Sequence, residues 1–390
     1  VVFSGSHEIE IPQGSALVIV PQGPISEQPA TRDPLSSLFA GSDHRATKVG
    51  NILEAIELAT TDKRIRMLTL DLRRFTQSSP ALLEVVGAKL KEFRETGKTV
   101  IAASDSYSQQ QYYLASFANE IYMHPMGQVL ITGFEVYQDF YQEFLAHLKI
   151  NINVFRVGTY KTAIEPFTRS DMSTAAKEAS QFLVNELWRD YVNQIAINRG
   201  IDQSAFESYV NDFDKAIHSV GGDTGLAALN HGLIDQLLTN DEFEKLLINK
   251  VGKSEDGRFL GTDFRTYIRT ASASKTPQTD GKIAVIVAQG MIMMGDQPRG
   301  DIGASSTAKM IRKAREDKDV KAIVLRVDSP GGSVLASEMI RQELELAQEL
   351  GKPVIVSMGG LAASGGYWIS ATADEIWASP NTITGSIGVF

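Results

Sequence analysis

The chain contains no cysteine among its 390 residues. Disulfide bonds, thiolate metal sites and a cysteine nucleophile are therefore excluded. Long apolar runs are missing too: the longest, Ile283 to Met294, is about twelve residues, and Gln289 and Gly290 interrupt it. A membrane-spanning helix needs about 20 such residues. The chain also opens at Val1 without a signal sequence, so we expect the trimmed, soluble part of a protein.

An excess of basic residues is also missing. The chain has 38 Lys and Arg against 47 Asp and Glu, for a net charge of −9, which argues against nucleic acid as the main partner. Neither a paired-histidine metal motif nor a nucleotide-binding glycine fingerprint occurs. We therefore expect no metal and no cofactor. The remaining composition, 43% hydrophobic and 22% charged, is typical of a globular protein.

An internal repeat organises the chain. Three segments recur in the same order at offsets of 254 or 255 residues: 62–70 with 317–325, 97–101 with 351–355, and 112–122 with 367–377. Three collinear blocks indicate a duplicated domain. Phe390 corresponds to residue 135 of the first copy, which continues to about 250, so we expect the second copy to be incomplete and the chain to be a fragment.

Each copy alternates β-rich runs with helical patterns. In the second copy, strands are predicted at 283–287, 322–327, 354–357 and 375–378. A helix is predicted from Ser333 to Leu350, with Gly351 ending it, and a longer one over 173–199. This alternation predicts an α/β fold around a largely parallel sheet.

The repeat and the composition together predict the domain boundaries. We assign residues 1–250 to the first domain and 282–390 to an incomplete second domain. The segment 251–281 has weak periodicity and many polar residues, which favours a linker.

A glycine pair in the second copy is the first candidate functional feature. Gly331 and Gly332 lie in the segment 328–333, directly after a predicted strand and at the start of a helix. Backbone N–H groups in such a turn suit an oxyanion hole or a phosphate. The alternative is an ordinary strand-to-helix turn.

A serine among small residues is the second candidate. Ser364 lies in the segment 359–368, again between a predicted strand and a helix, where a nucleophile would be exposed. Close packing of the helix on the sheet would explain the small residues equally well.

Comparison of the two copies helps to decide between these alternatives. By offset, Gly331 and Gly332 correspond to Thr76 and Gln77, and Ser364 corresponds to Gln109 or Gln110. Joint loss of both glycines and the serine in a retained scaffold indicates a shared task performed by one copy.

A serine nucleophile requires a base. None of the six histidines lies in the second copy or in an evident motif. Lys161, in the short segment 158–163, is the other candidate, and it would have to be buried because an ordinary lysine is protonated at neutral pH. The alternative is an ion pair with Glu165, four residues further on.

Three longer segments and one shorter one carry a resemblance to a known family. These segments are 155–161 with 165–167, 329–333, 358–368 and the shorter 384–388. The chain resembles the signal peptide peptidase A (protease IV) family of bacterial serine proteases, in its double-length form with tandem domains. The resemblance implies a crotonase-like fold, shared with the Clp protease proteolytic subunit, in each domain.

The resemblance also implies the roles of individual residues. Ser364 would be the nucleophile and Lys161 the general base of a serine–lysine dyad. Gly332 and Gly365 would form the oxyanion hole, and Ser386 would help to hold and deprotonate the lysine. The first domain would then supply the base and the second the nucleophile, so the site would lie where the two domains meet.

The implied substrates are hydrophobic peptides, remnant signal peptides above all. The family implies an N-terminal membrane anchor outside this chain, a position on the periplasmic side of the bacterial inner membrane, and a homo-oligomer, a tetramer in the tandem form.

Two other readings stay open. One is a crotonase-type acyl-CoA hydratase or isomerase that uses the same glycine pair for a thioester oxyanion. The other is a non-catalytic, membrane-associated scaffold.

Overall fold

Two parallel β-sheets organise the chain, and each belongs to a separate unit of the fold. The structure is a computed structural model that describes residues 10–29, 46–272 and 281–390. The first unit comprises the described residues up to Thr132 and those from Val192 to residue 272. The second comprises Gly133–Tyr191 and residues 281–390.

The elements are numbered along the chain. The strands are β1 Ser15–Ile19, β2 Ile25–Ser26, β3 Thr47–Lys48, β4 Ile65–Asp71, β5 Thr99–Ser104, β6 Tyr107–Ser108, β7 Glu120–Met123, β8 Val129–Leu130, β9 Gln236–Leu237, β10 Gly261–Asp263, β11 Lys282–Gln289, β12 Ile292–Met293, β13 Ile302–Gly303, β14 Val320–Ser329, β15 Val354–Ala363, β16 Glu375–Trp377 and β17 Ile383–Gly385. The helices are α1 Val49–Thr61, α2 Pro80–Glu95, α3 Gln109–Ala115, α4 Gln142–His147, α5 Glu165–Thr168, α6 Thr174–Arg199, α7 Gln203–Asn211, α8 Phe213–Ser219, α9 Thr224–Asn230, α10 Asn240–Val251, α11 Phe264–Ser272, α12 Ala304–Glu316, α13 Val334–Glu349 and α14 Gly365–Trp368.

Four consecutive strands follow the same order in both sheets, β1-β4-β5-β7 in the first and β11-β14-β15-β16 in the second. In the first unit the order is β10-β1-β4-β5-β7-β9, and all pairs are parallel. In the second unit it is β11-β14-β15-β16, with β17 parallel to the end of β15. Each unit also has a small parallel pair, β2 with β3 and β12 with β13. The repeat in the sequence therefore corresponds to a repeat in strand topology.

The core of the second unit lies between its sheet and two helices. Apolar residues of β14 and β15, among them Ile323, Leu325 and Val356, are fully buried together with Ile340 of α13. Helix α13 begins where the Ser333 side chain accepts a hydrogen bond from the backbone N–H of Ala336, as a helix N-cap does. It packs against α12. This sheet holds the carboxyl ends of β14 and β15 side by side.

The secondary-structure predictions for the second copy are largely confirmed. Each predicted strand exists, and β15 extends six residues beyond the predicted 354–357, to Ala363. The predicted helices correspond to α13 and α6, and Gly351 follows α13 with a φ of 77°, a conformation that favours glycine. The α/β class with parallel sheets is likewise confirmed.

The predicted linker over 251–281 is wrong for the part that the structure describes. Strand β10 pairs with β1 in the first sheet, and Phe264 and Tyr267 of α11 are fully buried. The polar residues between these two aromatics hid the helical pattern. Residues 273–280 lie outside the described part of the chain.

The predicted boundary at residue 250 also differs from the observed division. Residues 133–191, which the predicted boundary placed in the first domain, belong to the second unit, and α6 contributes to both units. Sequence similarity between the copies ends before residue 133, so the repeat carried no information about this segment. Among the described residues, none of the helices is both long enough and apolar enough to span a bilayer.

The buried strand β14 gives a stability prediction. Replacing Leu325, which is fully buried, with alanine should lower the free energy of unfolding by about 2–5 kcal/mol, because it removes buried methyl groups and leaves a cavity. Urea denaturation followed by circular dichroism measures this change. Leu350→Ala, at a position 63% exposed, is the control and should change stability by less than about 0.5 kcal/mol. Equal effects of the two variants would contradict this account of the core.

Candidate active site

Ser364 lies in the turn between β15 and α14. Its φ and ψ are 52° and −117°, a backbone conformation that costs a non-glycine residue about 1–3 kcal/mol. Its N–H donates to the carbonyl of Gly385 on β17 at 2.9 Å, and its own carbonyl accepts from the N–H of Trp368 at 3.0 Å. The turn is thus held at both ends, and it presents the hydroxyl beyond the end of the strand.

The glycine pair after β14 comes into close contact with this turn. A Cβ atom on Gly331 would lie 2.5 Å from the N of Gly365 and 2.7 Å from the Cβ of Ser364. The Ser329 hydroxyl fixes the turn, because it donates to the carbonyl of Gly290 and accepts from the N–H of Gly331. Only glycine allows the backbone to approach the serine this closely.

Two backbone N–H groups near Ser364 remain available for a ligand. The hydrogen bonds between β12 and the glycine turn run from the N–H of Ile292 to Gly331 and from the N–H of Ser333 to Ile292, and they skip Gly332. Gly365 is the first residue of α14, where N–H groups have no intrahelical acceptor. Among the described residues, the N–H groups of Gly332 and Gly365 have no backbone or side-chain acceptor.

Lys161 reaches this region through an antiparallel bridge. Val157 and Val389 exchange two backbone hydrogen bonds, at 3.0 and 3.3 Å. Gly388 has a φ of 132°, and a Cβ on it would lie 2.2 Å from the carbonyl oxygen of Val157 and 3.3 Å from the Cβ of Lys161. The bridge therefore holds the lysine against the loop that contains Ser386.

Three oxygens surround the amine of Lys161. Its Nζ lies 2.9 Å from Ser364 Oγ, and it donates to the backbone oxygen of Ser386 at 2.7 Å and to Ser386 Oγ at 3.0 Å. A neutral amine has two N–H groups and one lone pair. It can therefore donate to both Ser386 oxygens and accept the proton of the Ser364 hydroxyl.

Burial controls the protonation of this lysine. Lys161 is only 4% exposed, and desolvation lowers its pKa below the ordinary value, because a buried site disfavours the charged form. In the part of the chain that the structure describes, no carboxylate forms an ion pair with it. Both features favour the neutral amine.

The alternative pairing of Lys161 with Glu165 is not observed. Glu165 is itself buried, and its carboxylate accepts from the backbone N–H and the hydroxyl of Ser173 at 3.0 and 2.6 Å. Arg156 approaches the same carboxylate at 4.0 Å. Glu165 thus joins α5 to the start of α6, and among the described residues Lys161 has no carboxylate counter-ion.

An apolar cleft of about 570 Å³ opens beside Ser364. Apart from Ser364 and Arg341, it is lined by glycines and by apolar or aromatic side chains: Val157, Gly332, Val334, Gly365, Tyr367, Trp368, Ala371, Ile387, Gly388 and Val389. Every lining residue belongs to the second unit. Such a surface suits an extended apolar ligand.

The five predicted site residues all lie in the second unit. Lys161, Ser364 and Ser386 are in hydrogen-bond contact, and Gly332 and Gly365 lie next to the serine. The expectation that the lysine comes from one domain and the serine from another is wrong, because residues 133–191 belong to the second unit. Sequence reasoning missed the bridge at Val157, since a two-residue pairing leaves no periodic signal.

The equivalent turn of the first unit is filled by its own side chains. The hydrogen bond from the N–H of Ile25 to the carbonyl of Gln77 matches that from Ile292 to Gly331, so Gln77 and Ser78 correspond to Gly331 and Gly332. The predicted equivalence with Thr76 and Gln77 was therefore wrong by one residue. The offset between the two copies changes from 255 to 254 before this turn, so 254 is the offset that applies to it. The side-chain oxygen of Gln110 accepts the N–H of Ser78 at 2.7 Å. In the first unit a glutamine oxygen therefore accepts the hydrogen bond of the amide that corresponds to Gly332, whose N–H has no such acceptor in the part of the second unit that the structure describes.

The described residues were searched for clusters of side chains that could bind a metal ion. Within the described ranges of the chain, no group of three or more His, Cys, Asp or Glu side chains could hold a metal ion.

Comparison with known proteins assigns the class. The model of peptidase family S49 matches residues 92–252 and 347–390, ranges that contain both Lys161 and Ser364. The chain belongs to peptidase family S49, and this family is its class.

Curated relatives agree with this class. The chain is 45% identical to Protease 4 of Salmonella typhi over its whole length and 41% identical to Protease 4 of Haemophilus influenzae over 92% of it. It is 28% identical to the chloroplastic serine protease SPPA of Arabidopsis thaliana over 97% of its length. The chain spans 63%, 58% and 54% of these relatives, in that order.

Gly388 gives a test of the bridge that positions Lys161. Gly388→Ala should move the segment at Val157 away from the Ser386 loop, because the new Cβ would lie 2.2 Å from a backbone oxygen. A crystal structure of the variant should show the Lys161 Nζ to Ser364 Oγ distance lengthened beyond hydrogen-bond range. Gly385→Ala is a matched control, since Gly385 also has a positive φ but nothing within 4 Å of the added Cβ. An unchanged distance in the Gly388 variant would contradict the role of the bridge.

Proposed function

We propose that the protein is a serine endopeptidase that uses Ser364 and Lys161 as a catalytic dyad. The observation that carries this proposal is the 2.9 Å contact between Lys161 Nζ and Ser364 Oγ, with the lysine buried. Membership of peptidase family S49 supports the same chemistry.

The first half of the proposed reaction forms an acyl-enzyme. The neutral amine of Lys161 takes the proton of the Ser364 hydroxyl as Oγ attacks the peptide carbonyl carbon. The carbonyl oxygen becomes an oxyanion, which accepts hydrogen bonds from the N–H groups of Gly332 and Gly365. The C–N bond then breaks, and the protonated Lys161 gives its proton to the leaving nitrogen.

The second half releases the product. Lys161, neutral again, takes a proton from a water molecule as the water oxygen attacks the ester carbon. The second tetrahedral intermediate uses the same two amides, and its collapse breaks the ester bond and returns the proton to Ser364 Oγ. Ser386 holds the amine throughout by accepting from it with its backbone oxygen and its hydroxyl.

The proposed substrates are hydrophobic peptides, including remnant signal peptides at a membrane. The cleft beside Ser364 supports this choice, because its lining is almost entirely apolar. By analogy with the family, we further propose action on the periplasmic side of the bacterial inner membrane, as part of a membrane-anchored protein.

Two further proposals concern architecture. The shared strand order of the two units supports a tandem of crotonase-like domains. A homo-oligomer, a tetramer by analogy, is supported by large apolar side chains that are exposed in the segment 133–160, such as Tyr137 and Phe155, at 85% and 86% exposure.

The dyad is tested by replacing its two side chains. Ser364→Ala and Lys161→Ala should each lower kcat for casein or a signal peptide by at least about 1,000-fold, because the nucleophile or its base is lost. Labelling of Ser364 by a fluorophosphonate should disappear in the first variant and slow sharply in the second. Lys309→Ala, at an exposed lysine outside the cleft, is the control and should retain activity. Full hydrolysis by either dyad variant would refute the proposal, and a hydratase would leave Ser364 unlabelled.

The pH dependence provides a separate test of the base. Since only the neutral amine accepts a proton, kcat/KM should rise with pH and level off above the pKa of Lys161. Desolvation lowers that pKa below the ordinary 10.5, so the plateau should begin at a lower pH than an exposed lysine would give. A pH–rate profile of the intact enzyme measures this. If the residual rate of Lys161→Ala showed the same rise, another group would be the base.

A further inference from the structure

We propose that Arg341 determines which side chains the far end of the cleft accepts, because it occupies the cation position beside two carboxylates and so keeps basic side chains out. This inference rests on the proposed peptidase function and extends it to substrate selection. It concerns the end of the cleft remote from Gly332.

One face of α13 contributes to the cleft, and its residues change from apolar to charged along the helix. Val334, Glu338, Arg341 and Glu345 follow one another at spacings of four, three and four residues, which places them on one face. Val334 and Arg341 both line the cleft. At 1.5 Å per residue they are about 10 Å apart along the helix. The cleft is thus apolar next to the glycine turn and charged at its far end.

Arg341 is the charged residue in the cleft lining, and it is held by two carboxylates. Its Nε donates to one oxygen of Glu338 at 2.9 Å and its Nη2 to the other at 2.8 Å, a bidentate pair. Nη2 also donates to Glu345 at 3.2 Å. The side chains of Arg341 and Glu338 are only 17% and 29% exposed, so water screens this pair less than a surface pair.

Trp368 connects this charged group to the wall of the cleft. Its indole N–H donates to Glu338 at 2.9 Å, while its backbone N–H donates to Ser364. The indole therefore has its one polar atom satisfied, and its ring forms a fixed apolar wall. Glu338 positions this wall and Arg341 neutralises Glu338.

The charges at this end do not cancel completely. Glu338 and Glu345 carry two negative charges against one positive charge on Arg341. The pKa of Glu338 is lowered to about 2, chiefly by Arg341 and also by Trp368, so the carboxylate stays ionised at every pH at which the enzyme would work. Without Arg341, Glu338 and Glu345 would lose the cation that both contact, and a lysine or arginine side chain of the peptide could take its place where Arg341 lines the cleft.

An extended peptide can bring a side chain to this end. Alternate residues of a strand lie on one face about 6.6–7 Å apart. A residue two positions from the one beside Val334 therefore comes close to Arg341. The predicted selectivity concerns a single peptide position and leaves the others unchanged.

The experiment compares peptides that differ at one position. Fluorogenic alanine-rich peptides carry a single Leu, Lys or Glu at each position on the amino side of the cleaved bond, which mass spectrometry locates. The full-length enzyme should prefer Leu to Lys at every position. Arg341→Gln should raise the Lys-to-Leu ratio of kcat/KM at one position by about fivefold or more, the scale expected for a close, partly desolvated charge pair.

Three further variants exclude a merely structural effect. Arg341→Lys should keep the wild-type ratio, since it keeps the charge. Adding Glu338→Gln to Arg341→Gln should cancel most of the gain. Arg312→Gln removes an arginine that pairs with Glu343 outside the cleft, and it should leave the ratio unchanged. The gain should also shrink at high salt, as an electrostatic preference does.

The readouts separate this inference from the proposed function. Fluorophosphonate labelling of Ser364 reports the dyad, whereas the Lys-to-Leu ratio reports Arg341. Normal labelling of all variants together with an unchanged ratio would overturn the inference and leave the peptidase intact. Failure of the wild type to label or to hydrolyse any peptide would overturn both.

Discussion

The contact between the buried amine of Lys161 and the hydroxyl of Ser364 is the constraint on which the proposed chemistry depends. A lysine accepts a proton only if its environment disfavours the charged form, and here burial without a carboxylate partner has that effect. The surroundings follow from this requirement. Glu165, the nearest acidic residue in sequence, is turned toward Ser173 and Arg156, and Lys161 meets only uncharged oxygens.

The position of this amine depends on unfavourable backbone conformations at the residues around it. Ser364 and Ser386, both in contact with Lys161, have positive φ values of 52°, which are unfavourable for residues with a side chain. Gly331 and Gly388 allow backbone approaches that a Cβ would prevent. Strain of this kind persists only where the surrounding structure holds it in place. The buried strands β14 and β15 supply that support.

The two units have the same strand framework, but only the second has the candidate site residues. Both keep the strand order and the hydrogen bonds of the turn after the second strand of the repeat. In the first unit Gln110 satisfies the N–H of Ser78 from within, whereas the second unit leaves Gly332 open to the cleft. The first unit therefore has a side-chain oxygen at the amide that the second unit leaves open.

Much of the candidate site could be predicted from the sequence. The alternation of strands and helices predicted the parallel sheets, and the glycine pair and the small-residue segment around Ser364 predicted a turn that presents a nucleophile. Comparison of the copies pointed to the same residues, since a repeat exposes what only one copy has kept. The linker over 251–281 was misjudged because Phe264 and Tyr267 are isolated among polar residues, too few to show a period.

The sequence by itself determined the class of fold, the candidate nucleophile and the candidate base, because strand periodicity and motif spacing are local properties of the chain. Only the tertiary structure decided that Lys161 belongs to the same unit as Ser364 and that Glu165 is turned away from it. It also decided that Arg341 and Trp368 line one cleft and that Glu338 accepts hydrogen bonds from both. The Lys161–Ser364 and Glu338–Trp368 contacts join residues far apart in sequence. Their geometry depends on which strands pair and which side chains are buried together, and neither is encoded in any short segment.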